Sequence, residues 1–330
     1  MKRMAFLFPL LMLLFNSAAQ EKIIFDTDFG GDADDLGALS MLHGFVDAGE
    51  CDLLAVMLWT NEKYAVPAVD AVNRFYGHPD IPIGVRAGGT YVNEDAHTKI
   101  LADNLTYELT YSDVPSTTKL YRKILSENED SSIVLVTVGP LLNIQLLLKS
   151  GPCEFSPLMG KELLHQKVKE MVVMGGQYPK GENEWNFNGN MPGVTKFVFE
   201  HIQLPVVFLG YEVGLKIKTG KVLNDIPNDH PLYVGYHHFS KHAPWMKENY
   251  KGEILDNASY DQTAVLYAVK GGLNKWWIKK DNGHNKIGYE GDNEWIDTEK
   301  GKVNHSYLKL SAKPEKMAEI IESLMLHDLK

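Results

Sequence analysis

The stretch Lys22-Ile23-Ile24-Phe25-Asp26-Thr27-Asp28-Phe29-Gly30-Gly31-Asp32-Ala33-Asp34-Asp35 changes character twice. Lys22 to Phe25 read as a strand, an aspartate-rich turn follows, and a helix is expected from about Asp34 to Phe45. The same alternation continues outward. Leu53 to Leu58 and Ile81 to Val85 read as strands, and Val66 to Phe75 as a helix with apolar spacing near 3.6. A helix over Thr117 to Leu125 leads into Ile133 to Val138, a continuous apolar, β-branched run of the kind found in parallel strands covered on both faces. Leu141 to Leu148 read as a helix, and Val168 to Met174 and Val206 to Leu209 as further strands. This pattern predicts an α/β fold: an open, mostly parallel sheet with helices on both faces and a Rossmann-like core. In such sheets ligands bind beyond the carboxyl ends of the strands. Asp26 to Asp35, Asn61, Gly139 and the Met174 to Asn188 loop all fall there.

The last third is less regular. Pro231 to Trp245, rich in aromatics and His, is expected to form a helix over the site. Gly283 to Asn304 read as short strands with turns, and Pro314 to Leu326 as a closing amphipathic helix. With no repeat, low-complexity segment or linker, residues 20–330 are expected to form one domain whose irregular C-terminal part lies over the site.

At 330 residues the chain can bury a substantial core. Its formal charge of -10 argues against nucleic-acid binding, which needs a basic surface, but suits a protein that holds a divalent cation. Lys2 and Arg3 precede an apolar run from Met4 to Phe15, too short to span a bilayer, and Ser17-Ala18-Ala19 supply small residues for cleavage. Residues 1–19 therefore read as a signal peptide, with export to the periplasm or outright secretion and no membrane insertion. Cys51 and Cys153 make neither a metal site nor a disulfide framework and stay unassigned.

Asp26, Asp28, Asp32, Asp34 and Asp35 crowd carboxylates at one strand end. Two unit charges at 4 Å repel by roughly 1 kcal/mol in water and about 4 kcal/mol near a protein surface, so several such pairs call for a neutralising cation. Hard oxygens without Cys or His nearby point to Ca²⁺ or Mg²⁺ rather than zinc. One aspartate is expected to cap the following helix; capping does not account for five. Three further segments are placed to meet the cluster. They are Thr137-Val138-Gly139-Pro140-Leu141-Leu142-Asn143, Met174-Gly175-Gly176 with the loop holding Glu184-Trp185-Asn186-Phe187-Asn188, and Ser259-Tyr260-Asp261-Gln262-Thr263-Ala264. Singly, these read as a turn, a polar loop and a helix start.

Together the four segments resemble the inosine–uridine-preferring nucleoside hydrolase family over roughly residues 22 to 325. The family opens on Asp-x-Asp-x-Gly followed by Asp-Asp at a helix start; here Asp26-Thr27-Asp28-Phe29-Gly30 precedes Asp34-Asp35 with a longer spacing that occurs as a variant. The resemblance implies hydrolysis of a ribonucleoside to ribose and base. Ca²⁺ would be held by Asp28, Asp35, the Val138 carbonyl and Asp261, with Asp28 as general base. Asp34, Asn61, Met174, Asn183, Glu184, Asn186 and Tyr260 would bind the substrate, and the subunits would pair as a homodimer or homotetramer.

Many relatives carry His immediately before the last calcium aspartate, where it helps protonate the departing base; this chain has Tyr260. Two expectations follow. His237, His238 or His242 supplies the proton, or the base is stacked between aromatics such as Trp185, Tyr236 and Trp245. Two rival readings share parts of this pattern. A haloacid-dehalogenase-type phosphatase places Thr or Val where Gly30 stands. A non-catalytic, calcium-stabilised nucleoside- or sugar-binding protein of the same fold is distinguished by the absence of ribose release. EF-hand spacing is excluded, since the twelfth position from Asp26 is Gly37.

Overall fold

The computed structural model describes residues 20–298 and 304–329; the expected signal peptide lies outside the described residues. Eight strands form the central sheet. From edge to edge they are Trp277–Lys280, His305–Leu310, Val206–Leu209, Val168–Met174, Ile133–Thr137, Glu21–Thr27, Cys51–Leu58 and Ile83–Val85. All neighbours run parallel except Trp277–Lys280 against His305–Leu310. The expected sheet is thus present.

Burial on both faces explains the unbroken apolar runs. Ile23 and Phe25 pack into one core with Leu36 and Leu39 of the helix Asp34–Asp47. Ile24 points the other way, against Leu120 of Thr117–Glu127 and Ile144 of Leu142–Lys149. Each such side chain contributes about 1.5–3 kcal/mol by leaving water. Successive residues face opposite sides of a strand, so a strand between two helical layers must be apolar throughout.

The chain builds one half of the sheet outward from Glu21–Thr27, then crosses back to lay Ile133–Thr137 along its other edge. Strand order reverses there, which opens a crevice at the carboxyl ends of those two strands. The C-terminal third is more regular than expected. His305–Leu310 completes the sheet beside Val206–Leu209, and Asn293–Asp297 pairs with Gly283–Ile287 and Lys180–Gly181. These strands brace the loop after Met174. Asn293 accepts from the Gln177 N–H (3.0 Å) and donates to the Gln177 carbonyl (2.9 Å). No helix among the described residues is long and apolar enough to cross a membrane.

Asp26 does not join the acidic cluster. Its side chain follows Ile24 to the opposite face, where it accepts from Tyr121 Oη (2.7 Å) and Asn143 Nδ2 (3.1 Å), and burial raises its pKa to about 7. Asp26→Ala would leave a phenol and an amide buried without their acceptor, at a cost of about 2–4 kcal/mol. Asp26→Asn keeps an acceptor and should cost less than half of that in urea unfolding; equal losses would show that the network is not what stabilises this position.

Candidate active site

At the crevice, a cavity of about 1310 Å³ opens beyond the strand ends. Its floor is acidic because two helices begin there. Asp34 and Asp35 occupy the first turn of Asp34–Asp47, and Asp261 that of Tyr260–Lys270. Helix N-termini attract negative charge, which offsets part of the crowding. Asp34 Oδ2 accepts from the backbone N–H groups of Tyr260 and Asp261 (both 3.2 Å), tying one helix start to the other. Thr27 donates its hydroxyl to Asp35. Carboxylate oxygens of Asp34, Asp35 and Asp261 all lie within 4.8 Å of one another, and all three residues are buried. Burial first, and repulsion from a neighbouring aspartate second (Asp32 on Asp34, Asp28 on Asp35, Asp34 on Asp261), hold all three well above the usual carboxylate range. An oxygen-only, buried donor set of this kind suits a hard divalent cation.

Asp28 stands beside this triad rather than within it. Trp185 donates its indole N–H to Asp28 Oδ2 (2.7 Å), and burial raises Asp28 to about 6. The turn after Ile133–Thr137 packs directly against it: a Cβ at Gly139 would come within 2.8 Å of the Asp28 backbone nitrogen, so only glycine fits. The expected Val138 carbonyl faces the cavity and accepts from Asn186 Nδ2 (2.8 Å). Asp32 precedes the helix without capping it, since the N-cap position is Ala33 and makes no side-chain cap; it accepts from the Ala33 N–H (2.6 Å) and from Asn257 Nδ2 (2.6 Å).

The loop after Met174 forms a second wall. Glu184 accepts from the N–H groups of Gly176 (2.8 Å), Asn186 (3.0 Å) and Phe187 (3.1 Å), which starts the short helix Trp185–Asn188; burial raises its pKa to about 7. Met174, Asn183, Glu184 and Asn186 all line the cavity, Asn183 from an exposed position. Tyr260 lines it too, stacked on Tyr211 with ring centroids 5.2 Å apart, and burial holds its hydroxyl above the ordinary tyrosine range.

Five expected contributors lie elsewhere. Asn61 turns away to accept from Arg86 Nη2 (3.1 Å) and donate to the Gly88 carbonyl (3.3 Å), while its neighbours Thr60 and Glu62 face the cavity. The helix Pro231–His242 packs against Asp34–Asp47 and Thr98–Asn104, which carries His237, His238 and His242 outside the cavity. His237 pairs with Tyr250 Oη (2.8 Å), and His238 stacks on His242 with its pKa lowered to about 4 by burial. Tyr236 is buried and bonded to Gln262 (3.0 Å), whereas Trp185 and Trp245 do line the cavity.

Several lining residues escaped the sequence analysis. Trp59, Thr60 and Glu62 end one strand and Tyr211 follows another, so the strand-end rule itself would have found them. Tyr91 comes from a loop clasped to Asn61 and Lys63 by backbone hydrogen bonds, for which no local signal exists. Both cysteines are free: Cys51 is buried, and Cys153 accepts from Arg122 Nε (2.9 Å).

Comparison with known proteins agrees with this geometry. The model of the family described as inosine-uridine preferring nucleoside hydrolase matches residues 23–317. By sequence, no curated protein matches the chain. Among solved structures, a purine-preferring ribonucleoside hydrolase from Gardnerella vaginalis superposes with a TM-score of 0.67 at 15% identity, covering 94% of this chain and 100% of that one. An inosine-guanosine nucleoside hydrolase gives 0.67 at 17% identity, over 93% and 98%. A plant nucleoside hydrolase gives 0.64 at 17%, over 92% and 98%. At such identities the likeness is one of fold.

Proposed function

The chain belongs to the inosine-uridine preferring nucleoside hydrolase family, and from that premise we propose that it cleaves the N-glycosidic bond of a ribonucleoside with Ca²⁺ bound at the acidic floor. The reading rests above all on the buried convergence of Asp34, Asp35 and Asp261 beside Asp28 at the strand-order reversal. Asp35, Asp261, Asp28 and the Val138 carbonyl would hold the ion, which would supply positive charge to neutralise the floor, grip the sugar diol and acidify water. Asp34 is close enough to share that task.

Asp28 takes the proton of the attacking water; a carboxylate raised toward neutrality is a better base than an ordinary one. Asp34, Glu184, Asn186 and Met174 surround the sugar, with Asn183 at the rim. Positive charge develops on the ribosyl ring as the bond to the base breaks, and the carboxylates of the floor favour it electrostatically. The departing base stacks among Trp185, Trp245 and the Tyr211–Tyr260 pair. Tyr260 itself is a weak proton donor, since burial raises its pKa further. The reading includes export, on the basic, apolar and small-residue order of residues 1–19, and a homo-oligomeric state.

Purified protein should release ribose from at least one member of a purine and pyrimidine nucleoside panel, lose that activity in chelator and regain it with Ca²⁺. His237→Ala, His238→Ala and His242→Ala should each keep kcat within about twofold, because none of these side chains reaches the cavity. Nucleoside binding without ribose release would instead favour a non-catalytic binding protein.

A further inference from the structure

Trp185 opens the short helix Trp185–Asn188, which is fixed at both ends. Glu184 collects three backbone N–H groups at its start, and Gly189, in a left-handed conformation with φ +53, returns its N–H to the Trp185 carbonyl (2.7 Å) at its end. Two consecutive side chains of this turn reach the strand-end wall. Trp185 donates to Asp28 Oδ2 (2.7 Å), and Asn186 donates to the Val138 carbonyl (2.8 Å). The indole also stands edge-on to Trp59 (centroids 6.3 Å, planes at 81°), and the Arg86 guanidinium lies 4.9 Å from the Trp59 ring on top of it. The ring is therefore held by Asp28 and by Trp59, itself covered by Arg86, although it remains 48% exposed at the cavity mouth.

An aspartate carboxyl turns easily about its terminal torsion, whose energy wells are broad. Orienting it takes a donor that cannot itself move, and a fixed indole N–H meets that need. We propose that Trp185 is a positioning residue for the hydrolysis: its N–H sets the rotation of the Asp28 carboxylate that receives the proton of water, while its ring walls the cavity. This role rests on the nucleosidase reading above.

The two parts of the side chain are separable. Trp185→Phe keeps a ring at the wall and removes the N–H. Loss of orientation at a reacting group costs one to two orders of magnitude in rate, so kcat should fall roughly tenfold while KM stays within about threefold. Trp185→Ala removes the wall as well and should raise KM in addition. A ring that merely filled space would give the opposite split, with kcat intact and KM alone changed. Far-UV circular dichroism checks that both variants fold, which the half-exposed position favours. If the wild-type protein releases no ribose, the nucleosidase reading fails and takes this role with it. If the wild type turns over and Trp185→Phe matches its kcat within twofold, the positioning role alone is overturned.

Discussion

Asp261→Ala is expected to lower kcat/KM for ribose release by at least about a thousandfold and to abolish tight Ca²⁺ binding in calorimetric titration. A thousandfold corresponds to about 4 kcal/mol of transition-state stabilisation, within what a bound cation supplies to developing charge. The variant should nevertheless fold. Asp261 lies with Asp34 and Asp35 in a buried site where burial and like charge already disfavour the ionised forms. Removing the Asp261 carboxylate removes its burial cost and its repulsion with Asp34 and Asp35, so the chelated variant should unfold at a temperature no lower than the chelated wild type. Loss of function with retained or increased ion-free stability separates a site residue from a structural one. Retention of activity within tenfold, with unchanged Ca²⁺ affinity, would remove the acidic floor from the mechanism.

The second expectation concerns stability and pH. Asp28 and Asp32 are raised to about 6 and Glu184 to about 7 in the folded protein, all by burial, and Asp34, Asp35 and Asp261 are also held well above the usual carboxylate range. A carboxyl whose folded pKa exceeds its unfolded pKa binds more protons in the native state. Its contribution is full below the unfolded value near 4 and is lost as pH rises through the folded one. Above about pH 6.5, where unfolded histidines are neutral too, the chelated protein should therefore become less stable up to pH 8. Histidines whose pKa values burial lowers, His43 and His97 to about 3 and His238 and His305 to about 4, oppose this below about pH 6.5, where only the unfolded chain protonates them, and add nothing further above it. Calcium reverses the trend, because ion and protons compete for the same oxygens. At a hundredfold excess over Kd the ion adds about 2.7 kcal/mol, or roughly 5 °C in Tm for a chain of this size. The gain should be larger at pH 8 than at pH 6.5. Thermal scans in chelator and in Ca²⁺ at both pH values test this; a chelated Tm that climbs toward pH 8 would contradict the burial on which it depends.

Local chemistry was enough for much of the protein. The continuous apolar run from Ile133 to Val138 requires cover on both faces, which points to a parallel sheet before any contact is known. Asp34, Asp35 and Asp261 sit in the first turns of helices whose starts are readable from the order of polar and apolar residues, so their place at the strand ends followed as well. The choice among neighbours was not local. Asn61 and Glu62 follow the same strand, and only the guanidinium of Arg86, arriving from another strand end, turns the first away and leaves the second facing the cavity. His237, His238 and His242 looked suited to proton transfer, but which side of the helix Pro231–His242 meets the rest of the protein depends on how it packs against Asp34–Asp47. Asp26 and Asp28 are two residues apart, and Asp26 nonetheless finds its partners on the opposite face of the sheet, in Tyr121 and Asn143. Periodicity along the chain determines which residues lie at a given depth and strand end. Which of two adjacent side chains meets the ligand is decided by partners distant in sequence, whose approach only the folded layers bring about.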